Sequence, residues 1–142
     1  VIENNVVIVN HYHGIALLGA RNCRIVNNTV IDRRGGRPGP PWVCIGKHKN
    51  GTPSTNCVIR NNLTTDVRVD DGQQVVADHN IIVKHPEVIF VSPETFDLRL
   101  KSGADPIDAG AGELAPDVDI IGTRRPQGET VDVGAHERAT GR

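Results

Sequence analysis

Short apolar runs separated by polar corners dominate the first 85 residues of the chain. The runs are two to four residues long and rich in valine and isoleucine, and none keeps helical spacing beyond one turn. β-Branched runs bounded by glycine, asparagine and proline are typical of strands. The pattern therefore predicts short strands at 6–9, 15–18, 24–26, 29–31, 43–45, 58–59 and 81–83, with a terminal strand at 88–91.

Paired asparagines recur through the same region. They are Asn4-Asn5, Asn27-Asn28 and Asn61-Asn62, with His79-Asn80 as a weaker copy, and the second residues of the pairs are 23, 34 and 18 residues apart. Self-similarity of this kind indicates a repeat architecture, in which stacked units complete one core. Asparagines in successive units would lie about 4.8 Å apart. We expect their side-chain amides to form a ladder at a tight bend.

Two insertions explain the long step between the second and third pairs. When Gly19 is aligned with Gly46, the second unit exceeds the first by four residues before the glycine and by seven after it. The extra residues fall in 33–41 and 47–55, which are rich in glycine, proline and charge and are therefore predicted to be loops. Insertions in repeat folds usually lie on one face, often the binding face.

The repeat phrases resemble a known group of proteins. The Ile-x-Asn-Asn-x-Val repeat, the phrase G-I-x-L-x-G-x-x-N-C-x-I from Gly14 to Ile25 and the segment 96–137 are similar to right-handed parallel β-helix proteins of the pectate-lyase-like superfamily. The resemblance implies an all-β solenoid of about four coils over residues 1–93 and an irregular C-terminal capping segment over residues 94–142. It also implies an extracellular or cell-envelope location. Activity does not follow from the scaffold, because function lies in sites grafted on it.

Composition narrows the classes of partner. The formal net charge of −1 favours neither nucleic-acid nor membrane-surface binding, and no apolar run approaches the roughly 20 residues of a membrane span. Aromatic residues are 3% of the chain, so a broad sugar-stacking platform is not expected. There is no methionine and no signal peptide, and the first residue lies inside a repeat, which predicts a fragment. The expected partner at its N-terminal end is the upstream coils of a longer chain or a second copy.

Three cysteines are predicted to be core residues. Cys23, Cys44 and Cys57 lack metal-ligand spacing, and an odd count argues against a disulfide framework. Cys23 and Cys57 occupy equivalent repeat positions, where cysteine would pack as a small hydrophobe. A Cys23–Cys57 bridge is the alternative if the protein is exported.

Five residues are the candidates for catalysis: His11, Tyr12, His13, Lys47 and Arg60. His11 and His13 would share one face of an extended segment, and histidine and tyrosine serve acid–base roles in sugar-chain enzymes. A lysine or arginine can remove the proton next to a carboxylate. The alternative for the histidine–tyrosine segment is a polar turn before a core strand.

The inserted loops supply candidate substrate-binding cations, namely Arg33, Arg34, Arg37, His48 and Lys49. Clustered cations suit a polyanion such as pectate or alginate, although solvated loop charge is the alternative. Asp66, Asp70 and Asp71 are the candidate metal ligands, because grouped carboxylates can hold Ca²⁺. The alternatives for them are the acid pair of a glycoside hydrolase or a plain acidic turn.

We therefore expect a carbohydrate-active protein that acts on acidic polysaccharide by β-elimination, with an epimerase or a glycoside hydrolase as related alternatives. Calcium would be the cofactor, if there is one. A noncatalytic module at a cell surface or in an assembly is the alternative from another class. An enzyme should bring His11, His13 or Lys47 together with arginine or aspartate side chains, whereas a structural module should leave them scattered.

Overall fold

The computed structural model describes residues 1–32 and 34–139. The regular secondary structure of this part of the chain is almost entirely β, with one helical turn, α1 (Pro86–Ile89), and a 3-10 turn at Pro93–Thr95. Its strands are β1 (Ile2–Glu3), β2 (Val6–Val9), β3 (His13–Leu18), β4 (Arg24–Val26), β5 (Thr29–Asp32), β6 (Trp42–Gly46), β7 (Thr55–Arg60), β8 (Leu63–Thr64), β9 (Val67–Asp70), β10 (Gln73–Asp78), β11 (Ile81–Ile82), β12 (Phe90–Ser92) and β13 (Asp97–Leu100).

Strands β1 to β11 form three parallel sheets. The first sheet has the order β1-β4-β7-β10, the second β2-β5-β8-β11 and the third β3-β6-β9. The chain thus visits the sheets in the same order on each pass, and each strand up to β8 pairs with the strand three places later. Strands β12 and β13 pair antiparallel, across the predicted boundary between residues 93 and 94. The all-β class with parallel sheets is confirmed.

The register of the third sheet corrects the glycine alignment. Leu18, not Gly19, is the partner of Gly46. Gly46 lies inside β6, whereas Gly19 has φ +68° and makes the turn after β3. The two glycines therefore have different roles, and the insertions are five and six residues long rather than four and seven. The insertions themselves lie where predicted, between β5 and β6 and between β6 and β7.

The second asparagines of the pairs form the predicted ladder. Nδ2 of each donates to Oδ1 of the next, at 2.9 Å from Asn5 to Asn28, 3.0 Å from Asn28 to Asn62 and 2.9 Å from Asn62 to Asn80. Their backbone N–H groups donate to the same oxygens at 3.0, 2.9 and 3.0 Å. Asn28 and Asn62 are fully buried. Because buried polar groups are costly unless they are hydrogen-bonded, the ladder satisfies both the side chains and the bend.

The first asparagines of the pairs hold the C-terminal segment. Asn4, Asn27 and Asn61 have φ between +50° and +56°, a left-handed conformation that asparagine tolerates better than most residues. Their Nδ2 amides donate to backbone carbonyls of that segment: Asn4 to Val118 at 2.7 Å, Asn27 to Asp132 at 3.0 Å and Asn61 to Ala111 at 2.8 Å. In each asparagine pair, therefore, the second residue belongs to the ladder and the first binds the C-terminal segment.

Two hydrophobic cores lie on either side of the second sheet. The first core draws side chains from all three parallel sheets: Ile15, Ile25, Val30, Val43, Ile45, Cys57 and Ile59. The second core joins the second sheet to the C-terminal segment: Ile31, Leu63, Val83, Ile89, Phe90, Leu98, Leu100 and Val133. Strands of the second sheet are thus apolar on both faces, as in parallel sheets covered on both sides. Cys44 and Cys57 are buried and Cys23 half-buried, and all three thiols are free.

Some predicted elements differ from the observed ones. Val88 lies in α1 rather than in a strand, because Pro86 starts a helical turn there. The predicted strands do not include β9 and β10, since Val67–Asp70 is charged at alternate positions and Gln73–Asp78 begins and ends with polar residues. β9 and β10 form strands because they pair with β6 and β7, although their own sequences do not favour strands.

A buried polar network fixes the C-terminal segment. The side chains of Arg125 and Glu137 are 1% and 0% exposed, and Nη1 of Arg125 donates to Oε2 of Glu137 at 2.8 Å. Asp119 accepts the backbone N–H groups of Ile121 and Thr123 and so stabilises the turn that follows it. Burial lowers the pKa of Arg125 and raises that of Glu137. Breaking the pair would leave an uncompensated buried charge.

Candidate functional site

A group of ring side chains lies where the second sheet turns into the third. His13 starts β3 and is the register partner of Trp42, which starts β6. Gly14 permits this approach, because a Cβ there would lie 2.5 Å from Cγ1 of Val30 and 2.8 Å from the Trp42 carbonyl oxygen. The glycine of the histidine–tyrosine segment is therefore structural. It lets β3 pass close to its neighbour and brings the rings together.

Three of the predicted catalytic residues meet Trp42 in this group. Ring centroids are 4.1 Å apart for His11 and Tyr12, 4.4 Å for Tyr12 and His13, and 5.5 Å for the two histidines. The Trp42 ring lies 5.0 Å from Tyr12 and 5.4 Å from His13. These separations are typical of favourable aromatic pairs. Tyr12 and His13 are exposed, so the rings form an accessible surface.

Arg68 completes the group. Its guanidinium carbon lies 3.9 Å from the centroid of the Trp42 ring, the geometry of a cation–π contact. Its Nε donates to Oδ2 of Asp66 at 2.7 Å, which fixes the orientation of the fork. Neither Nη group of Arg68 has a hydrogen-bond partner in the described part of the chain. We call His11, Tyr12, His13, Trp42 and Arg68 the aromatic–arginine cluster.

The nitrogen atoms of the two imidazoles differ in availability. Nδ1 of His11 accepts the backbone N–H of His13 at 3.1 Å. This bond requires an unprotonated Nδ1 on His11 and leaves its Nε2 as the nitrogen for outside partners. The imidazole of His13 has ring contacts but no hydrogen bond within residues 1–32 and 34–139. A ligand on the cluster would thus meet two imidazoles, one phenol and one guanidinium.

Lys47 does not join the cluster. It follows the far end of β6, where its ammonium forms an ion pair with Oδ2 of Asp71 at 2.5 Å. The hydrogen bond to Asp71, followed by its charge, raises the pKa of Lys47, and the same contact lowers the pKa of Asp71. A base must be neutral to accept a proton, so this pairing works against Lys47 in that role.

Arg60 lies in the first sheet, away from the cluster. Its Nε donates to Oδ1 of Asp78 at 2.6 Å and its Nη1 to Oε2 of Glu113 at 2.8 Å. Its side chain is 11% exposed. The hydrogen bonds to Asp78 and Glu113 raise the pKa of Arg60 further above its ordinary value. The geometry is that of a structural link between the first sheet and the C-terminal segment.

The predicted substrate-binding cations lie at opposite ends of β6. Arg34 and Arg37 are exposed on the loop before β6, and Arg33 lies outside the described residues. His48 and Lys49 are exposed on the loop after it, where Nδ1 of His48 accepts the backbone N–H of Asn50 at 3.3 Å. A five-residue strand is about 16 Å long. The structure therefore divides these cations into two groups rather than one patch.

The three predicted metal ligands have separate partners. Asp66 pairs with Arg68 and Asp71 with Lys47, while Oδ2 of Asp70 lies 3.8 Å from the thiol of Cys44. Within residues 1–32 and 34–139, no three histidine, cysteine, aspartate or glutamate side chains form a group that could hold a metal ion. Calcium binding stays a prediction. Burial, followed by the charge of Asp70, raises the pKa of the Cys44 thiol to about 11, which keeps it protonated near neutral pH.

Trp42 is the residue of the cluster that sequence reasoning missed. In the sequence Trp42 lies far from the histidine–tyrosine segment, and Arg68 stands among Asp66, Asp70 and Asp71 rather than beside the rings. The correct repeat alignment could have found this neighbour. Aligning Leu18 rather than Gly19 with Gly46 moves Trp42 towards His13. Nε1 of Trp42 is buried without a hydrogen-bond partner in the described part of the chain.

Comparison with known proteins gives no match to a family model, to a curated protein or to a solved structure. Among the described residues, no helix has the length and apolar character that crossing a membrane would require.

Proposed function

We propose that the chain is a right-handed parallel β-helix of the pectate-lyase-like kind and that it acts on an acidic polysaccharide. The repeated passage through three parallel sheets and the asparagine ladder support the solenoid. The aromatic–arginine cluster supports the substrate class. Upstream coils or a second copy would pair with the open edges of β1, β2 and β3, each of which is an edge strand of its sheet.

The single observation that carries the substrate class is Arg68 stacked on Trp42, with neither Nη group paired to any described residue. The Nη edge of a guanidinium can bind a carboxylate through two parallel hydrogen bonds. The exposed Tyr12 ring offers an apolar face for the C–H groups of a sugar ring. Carboxylates and sugar rings in one ligand define a polyuronate.

The proposed chemistry is β-elimination. Arg68 binds the uronate carboxylate, which favours loss of the neighbouring C5 proton. The imidazole of His13 takes that proton, the C4–oxygen bond breaks as the C4=C5 bond forms, and Tyr12 gives its proton to the leaving oxygen. His13 is preferred as the base over Lys47 and Arg60, because both of these cations are held in ion pairs.

A noncatalytic glycan-binding module is the second candidate. Two ion pairs favour this candidate, Lys47 with Asp71 and Arg60 with Glu113. They hold two of the five predicted catalytic residues away from the cluster. The same surface would then bind the polyuronate without cleaving it. Binding and cleavage must therefore be measured separately.

The test uses the full chain with pectate, alginate and related polyuronates, with and without Ca²⁺. Cleavage is followed by the ultraviolet absorbance of the unsaturated uronate, and binding by isothermal titration calorimetry. Arg68→Gln should weaken binding about tenfold or more, the effect of losing a charged bidentate contact. Arg124→Gln is the matched control, because Arg124 is exposed and has no ion pair among the described residues.

His13→Ala separates the two candidates. Under the lyase proposal it lowers the elimination rate by about a hundredfold or more while binding persists, and His85→Ala, an exposed histidine outside the cluster, leaves the rate unchanged. Binding without product supports the module. If no polyuronate binds, or if Arg68→Gln binds like Arg124→Gln, the cluster is not a polyuronate site.

A further inference from the structure

A second candidate site lies in the C-terminal segment, separate from the aromatic–arginine cluster. A cavity of about 300 Å³ opens between β13, the turn at 119–123 and the residues after Ala135. Its polar lining includes Arg99, His136 and Arg138, and its apolar lining includes Val91, Leu100 and Ile121. This volume is at the lower end of the range for small-molecule pockets, so a ligand would be small.

Among the described residues, the charges around the cavity leave one cation, Arg138, without a counterion. Arg99 is neutralised by Asp97, with Nε–Oδ1 at 2.8 Å and Nη2–Oδ2 at 2.5 Å. The guanidinium of Arg138 makes one hydrogen bond, from Nη1 to the Leu100 carbonyl at 3.2 Å, and has no ion pair within the described residues. Guanidinium donors of this kind select carboxylates and phosphates.

The acidic residue of the lining is already engaged. Glu137 is fully buried, and its carboxylate accepts Nη1 of Arg125 at 2.8 Å. It also accepts the backbone N–H groups of Gln127 and Asp132, each at 2.9 Å. A ligand therefore meets the positive charge of Arg138 without an opposing free carboxylate from Glu137.

His136 adds a second polar group to the wall. Its Nδ1 is buried and has no hydrogen-bond partner in the described part of the chain. Burial lowers the pKa of His136, against the opposing charges of Asp119 and Asp97. The imidazole is thus neutral near pH 7, and a bound anion would favour its protonated form.

We propose that this cavity binds a small carboxylate with a short aliphatic chain. The guanidinium of Arg138 binds the carboxylate, His136 lies beside it, and Val91, Leu100 and Ile121 surround the chain. A cationic ligand would meet Arg138 unfavourably, and a bare inorganic anion would leave the apolar wall without a partner. The proposal does not depend on the function of the aromatic–arginine cluster.

The experiment titrates the full chain with butyrate and follows the His136 ring protons by nuclear magnetic resonance, assigned by their loss in His136→Gln. We expect a saturable shift and a higher pKa of His136 in the bound state. Butylamine should produce neither change, and acetate and inorganic phosphate should bind about tenfold more weakly than butyrate, because a buried three-carbon chain contributes favourably.

Two variants test the assigned contacts. Arg138→Gln should weaken butyrate binding about tenfold or more, whereas Arg124→Gln should not change it. Ile121→Ser alters a side chain that is 66% exposed, so it should fold normally and weaken butyrate but not acetate. The proposal is overturned by any of three results: no saturable shift, an equal response to butylamine, or phosphate binding as tight as butyrate binding.

Discussion

The centre of the asparagine ladder should be the most sensitive polar position of the fold. Asn62 is fully buried and makes five side-chain hydrogen bonds. Its Oδ1 accepts the backbone N–H and the Nδ2 of Asn28. Its Nδ2 donates to Oδ1 of Asn80 and to the carbonyls of Ile25 and Arg60. Replacement of Asn62 by alanine removes all five bonds at once.

The magnitude follows from which partners can be satisfied elsewhere. Nδ2 of Asn28 keeps its bonds to the Ile2 and Val26 carbonyls, and Oδ1 of Asn80 keeps the backbone N–H of residue 62. The backbone N–H of Asn28 is left buried without an acceptor. One such orphaned donor costs about 1–3 kcal/mol, and the other four bonds, most of whose partners keep another hydrogen bond, add about 1 kcal/mol together. We expect Asn62→Ala to lower the free energy of unfolding by about 2–4 kcal/mol.

Asn5→Ala is the matched control at the end of the same ladder. Asn5 is exposed, and its Oδ1 has no partner in the described part of the chain. Water can replace its lost bonds, so we expect a loss of about 0.5–1 kcal/mol. Both variants are unfolded in urea and followed by circular dichroism. The dependence of the unfolding free energy on urea concentration is compared with that of the parent. Equal losses for the two variants, or no loss for Asn62→Ala, would refute the role assigned to burial.

Two further predictions concern charge. Arg125→Gln leaves Glu137 buried without its cation, so urea unfolding should give a loss of about 3–5 kcal/mol; the exposed Arg124→Gln should stay within about 0.5 kcal/mol, and similar losses would contradict the buried pair. The hydrogen bond from Arg99 lowers the pKa of Asp97 from 3.8 to about 2, so its stabilisation is present above pH 3.8 and is lost as pH falls through about 2. Asp97→Asn should therefore flatten the fall of the thermal midpoint in that window, and an unchanged profile would contradict it.

The candidate site was only partly predictable, because its parts come from different passes of the chain. His11, Tyr12 and His13 could be selected as neighbours in sequence. Trp42 and Arg68 reach them only through the register of β3, β6 and β9. Lys47 and Arg60 were selected by residue type, and their ion pairs depend on Asp71 and Asp78, which lie 24 and 18 residues away.

The sequence by itself determined the repeat, the ladder and most of the strands of the first two passes. These features are local and periodic: β-branched runs form strands, and asparagines at equivalent positions can bond to one another. Only the tertiary structure decided that β9 and β10 form strands, that Leu18 rather than Gly19 pairs with Gly46, and that the C-terminal segment packs along the second sheet. Those outcomes depend on which partner each backbone and side chain meets across many residues of sequence. The local sequence of one segment does not contain that information, because the stability of a pairing depends on both of the segments that form it.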